Sequence, residues 1–215
     1  MVFRSLKAPL IPVLTKALLV FTVFLNVLAV LLYSRVSIIY ALSESLLIML
    51  IVVFSERRGF IIMITKRIGI DLVGFLLPLV FSLEVLIRNL SLFKSVLSDF
   101  LIALLLTILV NYLNSMRSPM HGVILLDLIV PLLFTSGVVS VIVLRNSFPL
   151  VYSFIFGLVI GCFSSIIGLD VLNIKLIEGK VYVLGGNKLF DAVFLETFLS
   201  PSISFAFSLL AHSVL

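Results

Sequence analysis

The sequence predicts an all-α integral membrane protein with about seven transmembrane helices and a short cytoplasmic strand or hairpin between the sixth and seventh. Three observations carry this. Of the 215 residues, 62% are hydrophobic and 12% charged, where soluble domains hold about 45–50% apolar and about 25% charged residues. The apolar residues fall into runs of roughly 17–25, the length needed to cross about 30 Å of hydrocarbon at 1.5 Å per residue. The 15 Lys and Arg residues cluster between those runs rather than within them. A water-soluble monomer cannot cover its surface with so few charges.

The chain reads as a single membrane domain over 1–215. Residues 1–16 form a basic N-terminus with Arg4, Lys7 and Lys16, followed by no small-residue cleavage site, so the first span is retained. The spans are Ala17–Tyr33, Val36–Phe54, Ile70–Ile87, Val96–Leu113, Gly122–Leu144, Phe148–Leu169 and Phe190–Ser213. The first two are joined by a short turn at Ser34 and Arg35 and form a hairpin. The fourth is the weakest, opened by Asp99 and closed by Asn111 and Asn114. Placing the N-terminus in the cytoplasm puts eleven of the fifteen cations on the cytoplasmic side and leaves Arg35, Arg88, Lys94 and Arg145 outside. That satisfies the positive-inside rule in the cell membrane, with the C-terminus outside.

Two segments do not read as spans. In the cytoplasmic loop 55–69, Phe60–Ile64 is an apolar core too short to cross, expected as an interfacial strand or helix. In the loop 170–190, Lys180–Leu184 alternates as a strand does, with Gly185-Gly186 as a flexible stop before the last span. Those glycines also suit a close backbone approach to a ligand or a hinge. Pro78 and Pro131 are expected to kink their spans.

The composition excludes several chemistries. Cys162 is the single cysteine, so no internal disulfide or thiolate pair forms. His121 and His212 fall at opposite membrane faces, which argues against a histidine metal site and against a nucleophilic triad; no metal and no cofactor are expected. A carboxylate cation site using Asp71, Asp127, Asp170 or Asp191 stays open. The scattered cations form no nucleic-acid stripe. The partners expected are the lipid bilayer and, within it, a membrane peptide substrate or a partner transmembrane helix.

Acids in or beside spans are the informative residues, because an ionised carboxylate in hydrocarbon is costly and faces a partner or a wet cavity. Asp71, Asp127, Asp170, Asp191 and Glu196 fall in the cytoplasmic halves, Glu44 near mid-depth, and Glu84 and Asp99 toward the outside. Asp170 ends the sixth span and Asp191 begins the seventh, so an antiparallel pair of helices sets them at one height. Two carboxylates that close share a proton, which is what activation of water for hydrolysis requires. Each also has a structural reading, Asp191 as a residue stabilised at a helix N-terminus and Asp170 as a cap or a partner of Lys175. Gly157, Gly161, Ser165 and Gly168 form a small-residue seam on the sixth span. An unbroken helix would aim Asp170 away from that seam, so the pair needs the helix to end or bend at Gly168. Glu44 reads as a proton or cation relay, or as a neutral acid bonded to Ser43 or Asn26.

The segments Ile167-Gly-Leu-Asp-Val-Leu-Asn173 and Val183-Leu-Gly-Gly-Asn-Lys-Leu-Phe-Asp-Ala-Val-Phe194 carry a resemblance. They resemble motifs of the prokaryotic membrane proteins grouped as domain of unknown function 1614, with Asp170 and Asp191 at the positions of two family acids. The resemblance implies the topology and favours those two residues, and it implies no activity. The order of elements is also similar to that of intramembrane aspartyl proteases of the presenilin and signal-peptide-peptidase type. These carry one aspartate on the sixth span, a strand, and one on the seventh. The Gly-x-Gly-Asp motif of that group is absent here. The resulting expectation is a paired-aspartate membrane protease with Asp170 and Asp191 as catalytic residues and Gly185, Gly186, Glu196 and Asp127 as binding residues. The alternatives are a proton- or cation-coupled small transporter and a non-catalytic scaffold.

Overall fold

The computed structural model describes residues 10–58, 60–65, 68–118, 122–173, 182–186 and 191–214. The polarity of the described residues is inverted relative to a soluble protein. Val13, Leu14, Leu18 and Phe21 on the first helix and Ile102, Leu105 and Leu109 on another lie exposed, while Asn26, Asn111, Thr135, Ser136, Glu196 and Ser204 are buried. That pattern suits a hydrocarbon solvent, in which polar groups must find partners inside the protein.

The helices are α1 (Leu10–Tyr33), α2 (Ile38–Arg58), α3 (Leu77–Arg88), the short α4 (Leu90–Ser95), α5 (Leu97–Leu113), α6 (Ile129–Arg145), α7 (Tyr152–Ser165) and α8 (Ala192–Val214). Two π-helical turns extend them, Leu72–Leu76 before α3 and Ile166–Val171 after α7. Four helices are long and apolar enough to cross a membrane, within Val13–Tyr33, Ile38–Ser55, Tyr152–Val171 and Ala192–Val214. The other three expected spans are shorter. The third and fifth lose their first residues to strands, and α5 and α6 stop at 17 residues each.

The strands explain the shortening. Ile61–Met63 (β1) lies in the apolar core of the 55–69 loop, and Ile68–Asp71 (β2) takes the residues expected to open the third span. They pair antiparallel, with Ile62 opposite Ile70. Beyond them Ser115–Ser118 (β3) and Gly122–Leu125 (β4) form a hairpin where the fifth span was expected to begin. The expected strand before the last span is present as Tyr182–Leu184 (β5), pairing parallel to β2 with Gly69 opposite Val183; Lys180 and Val181 lie outside the described residues. Among the described residues the sheet order β1-β2-β5 leaves β5 at an edge. A parallel partner more than a hundred residues away leaves no local signal, unlike the alternation within β5.

α7 is the central helix. The window Tyr152–Val171 is 78% buried against 22% for Val13–Tyr33, and α7 packs on α8, α5, α6, α3 and α1. The small residues make this possible. A Cβ on Gly157 would fall 2.9 Å from the Ser200 carbonyl and one on Gly161 would fall 2.9 Å from the Glu196 carbonyl, so α7 and α8 meet backbone to backbone. Serines join α6 to the same seam: Ser153 and Ser208 Oγ are 2.7 Å apart, and Ser208 Oγ donates to Ser140 Oγ at 3.1 Å.

Pro78 lies where the π turn Leu72–Leu76 runs into α3, and Pro131 lies in the first turn of α6, where its missing N–H costs no helix hydrogen bond. The internal proline is Pro201 of α8. It offers no N–H to the carbonyl one turn back, and beside that gap Asn26 Nδ2 of α1 donates to the Phe198 carbonyl at 2.7 Å.

The two ends of the bundle differ. At one end the turns are tied by Asn89 Nδ2 donating to Ser34 Oγ at 2.9 Å and by Asp99, which accepts from Asn146 Nδ2 at 3.0 Å and pairs with Arg145 at 3.3 Å. The other end carries both sheets and the C-terminal end of α7.

Candidate functional site

Asp170 lies in the π-helical turn that extends α7 and is buried. A π turn inserts one residue relative to an α-helix and rotates the residues C-terminal to it. The bend expected at Gly168 takes this form. Gly168 is pressed against α5, where a Cβ would fall 2.7 Å from the Ile108 carbonyl. Asn173 closes the turn, its Nδ2 donating to the carbonyls of Gly168 and Leu169 at 3.1 and 2.9 Å.

The Tyr182 hydroxyl on β5 donates to Asp170 Oδ1 at 2.7 Å. Asp170 Oδ2 is buried with no hydrogen-bond partner among the described residues. A half-satisfied carboxyl in such a place needs a further donor or a proton. The cap or lysine pairing read from the sequence is not what Tyr182 provides, and Lys175 lies outside the described residues.

Asp191 precedes α8 and is half-buried, its Oδ1 accepting from the Val193 N–H at 3.0 Å. This is the helix N-terminal role expected of it. Its charge nevertheless reaches the same place. Burial first, then the charge and hydrogen bond of Asp170, and last the charge of Asp191, push the Tyr182 phenol well above the ordinary tyrosine range. The contact with the phenol is made by Asp170; Asp191 bears on it through charge alone. Tyr182 was legible in the sequence only as a strand residue. The signal for its role is its single hydroxyl on a strand between two acids.

Glu196 lies just over one turn into α8, fully buried. Asn111 Nδ2 donates to its Oε2 at 3.0 Å and to Ser164 Oγ at 3.2 Å, joining α5, α7 and α8. Asn111 was read as the end of a weak span; its position inside an apolar run is the signal that marks it.

The other expected site residues fall elsewhere. Asp127 is exposed at the start of α6, its Oδ1 accepting from the Ile129 N–H at 2.7 Å and its carbonyl from Asn114 Nδ2. Asp71 is buried and accepts from the Val73 and Gly74 N–H groups at 2.9 Å each, starting the first π turn. Gly185, at φ 70°, lies against Gly74, and a Cβ on Gly74 would fall 2.0 Å from the Gly185 carbonyl. The close backbone approach expected of Gly185 is made to the chain itself. Gly186 is exposed beside it. His121 and Asn187 lie outside the described residues.

Glu44 is bonded to neither expected neighbour. Asn26 is committed to Phe198, and Ser43 Oγ donates to the Tyr40 carbonyl. Glu44 instead lies against Glu84 and Tyr40. There Arg88 Nε donates to Glu84 Oε1 at 2.7 Å and Arg88 Nη2 donates to the Tyr40 hydroxyl at 3.0 Å. Sequence distance hid this group, since it joins α2 to α3.

Among the described residues no group of three or more His, Cys, Asp and Glu side chains is placed to hold a metal ion. No curated protein and no solved structure matches the chain. The family model described as "Protein of unknown function (DUF1614)" matches residues 45–203, a range that holds Asn111, Asp170, Tyr182, Asp191 and Glu196. With the match covering about three quarters of its length, this chain, a helical membrane protein with four membrane-length helices, belongs to the DUF1614 family.

Proposed function

We propose that the chain is a membrane-embedded hydrolase of the aspartyl type, acting on a membrane peptide through Asp170 and Asp191. The observation that carries the reading is Asp170 itself, its Oδ1 held by the Tyr182 hydroxyl and its Oδ2 buried with no partner among the described residues. Asp170, half-satisfied in an apolar setting, is the group suited to hold the shared proton. Asp191, whose Oδ1 accepts from a backbone N–H, is suited to take one from water. The water oxygen attacks the scissile carbonyl carbon as Asp191 accepts its proton. Asp170 protonates the carbonyl oxygen, and collapse of the tetrahedral intermediate breaks the C–N bond with proton transfer to the leaving amine. β5 stands at the sheet edge beside these acids, where an extended peptide would add as a further strand. In this reading the sheet end of the bundle faces the cytoplasm.

The test uses the full chain in lipid vesicles with a panel of single-span peptides, products being read by mass spectrometry. Cleavage by the wild type and a loss of at least roughly a hundredfold in both Asp170→Asn and Asp191→Asn, with helicity unchanged, is the expected result. A wild type that cleaves none of the panel, or either variant cleaving as well as wild type, overturns the reading.

A further inference from the structure

Glu196 and Asn111 present an unbalanced pair. Both side chains are fully buried, and one edge of the pair is made, Asn111 Nδ2 donating to Glu196 Oε2 at 3.0 Å. That contact leaves two side-chain oxygens over, Glu196 Oε1 and Asn111 Oδ1. Neither of those atoms has a hydrogen-bond partner among the described residues. Both are acceptors only. The charged group that bears on Glu196 is Asp191, another acid, with no lysine or arginine offsetting it among the described residues. Two unpartnered acceptors and one buried negative charge call for one positive charge beside them.

We infer that Glu196 Oε1 and Asn111 Oδ1 form a binding site for one exchangeable monovalent cation, a proton or an alkali ion of the size of Na⁺. A proton on Oε1 would donate to Asn111 Oδ1 and close a two-bond acid–amide pair. An alkali ion would take both oxygens, with Ser164 Oγ, already held by Asn111 Nδ2 at 3.2 Å, next to them. A divalent ion would leave a net positive charge, and the described residues offer it no cluster of acids. The site stands apart from the proposed hydrolysis, because its occupancy is read by binding and not by cleavage.

Two measurements on the full chain in detergent or vesicles test it. The first is Tm in NaCl against choline chloride at equal ionic strength and at several pH values. The second is infrared difference spectroscopy, reading the carbonyl stretch of a protonated carboxylic acid. If the occupant is Na⁺, Tm rises with Na⁺ concentration, by roughly 5–10 °C at a hundredfold excess over its dissociation constant. If it is a proton, the wild type shows at neutral pH an acid band beyond that of Asp170, and Na⁺ has no specific effect. Glu196→Gln removes either signal and still folds, because the glutamine amide supplies the N–H that completes the pair with Asn111. Asn111→Leu is the second variant, and it weakens the Na⁺ response or shifts the acid band. A chain with neither a Na⁺ response nor an acid band that Glu196→Gln removes overturns the inference. So does a Na⁺ response that survives in Glu196→Gln.

Discussion

Tyr182 is the donor that Asp170 Oδ1 depends on, and its removal leaves that oxygen buried and bare. Tyr182→Phe is expected to cost about 1–3 kcal/mol of stability at neutral pH, measured by denaturant or thermal unfolding. The linkage to pH has a definite sign. The phenol titrates higher in the folded chain than in the unfolded one, so the neutral tyrosine contributes stability below about pH 10 that is lost as pH rises further. Wild type is therefore expected to lose Tm more steeply above about pH 10 than Tyr182→Phe does. The Glu44, Glu84 and Arg88 group gives a second residue-scale expectation. Among the described residues Arg88 is the one cation beside two carboxyls, with a 2.6 Å contact to Glu84. Arg88→Met is expected to cost about 1–3 kcal/mol alone and less than half of that in a Glu84→Gln background, as a double-mutant cycle would show.

Among the elements, the α7–α8 contact is the one that tolerates least. Gly157 admits no Cβ, because the Ser200 carbonyl and Ser204 Oγ stand 2.9 and 2.8 Å from where it would be. Gly157→Ala is expected to destabilise by about 1–3 kcal/mol, since a backbone carbonyl has little room to yield. Gly137 of α6 is the control: nothing lies within 4 Å of its Cβ position, and Gly137→Ala is expected to stabilise by about 0.5–1 kcal/mol through helix propensity. Thermal unfolding of the two variants side by side checks both signs. Sequence spacing had grouped Gly157, Gly161 and Gly168 on one face. The structure divides them, the first two on α8 and Gly168 on α5, because the π turn at Ile166–Val171 rotates the end of the helix.

For the molecule as a whole, the ties among the turns and the position of the sheets define opposite ends. With Cys162 replaced by serine, a single new cysteine reports one position. A membrane-impermeant maleimide is expected to label Ser37→Cys and Ser147→Cys from one side and Thr65→Cys and Gly186→Cys from the other, each being an exposed residue. Labelling of all four from one side would mean that the bundle does not cross as its long helices indicate.

Composition and apolar run length by themselves determined that the chain is a helical membrane protein and roughly where its helices lie, because burial in hydrocarbon depends on local sequence. They also marked Asp170, Asp191 and Glu196, since an acid in an apolar run is costly wherever the chain goes. Strand β5 showed through its alternation. Only the tertiary structure decided that β2 and the β3–β4 hairpin shorten the third and fifth helices. It likewise decided that Asp127 stands apart, that Gly185 serves to seat Gly74, and that Tyr182 and Asn111 are the partners of the buried acids. Those outcomes rest on contacts between residues far apart in the chain, and no periodicity along one segment encodes the neighbour it will meet across a helix seam.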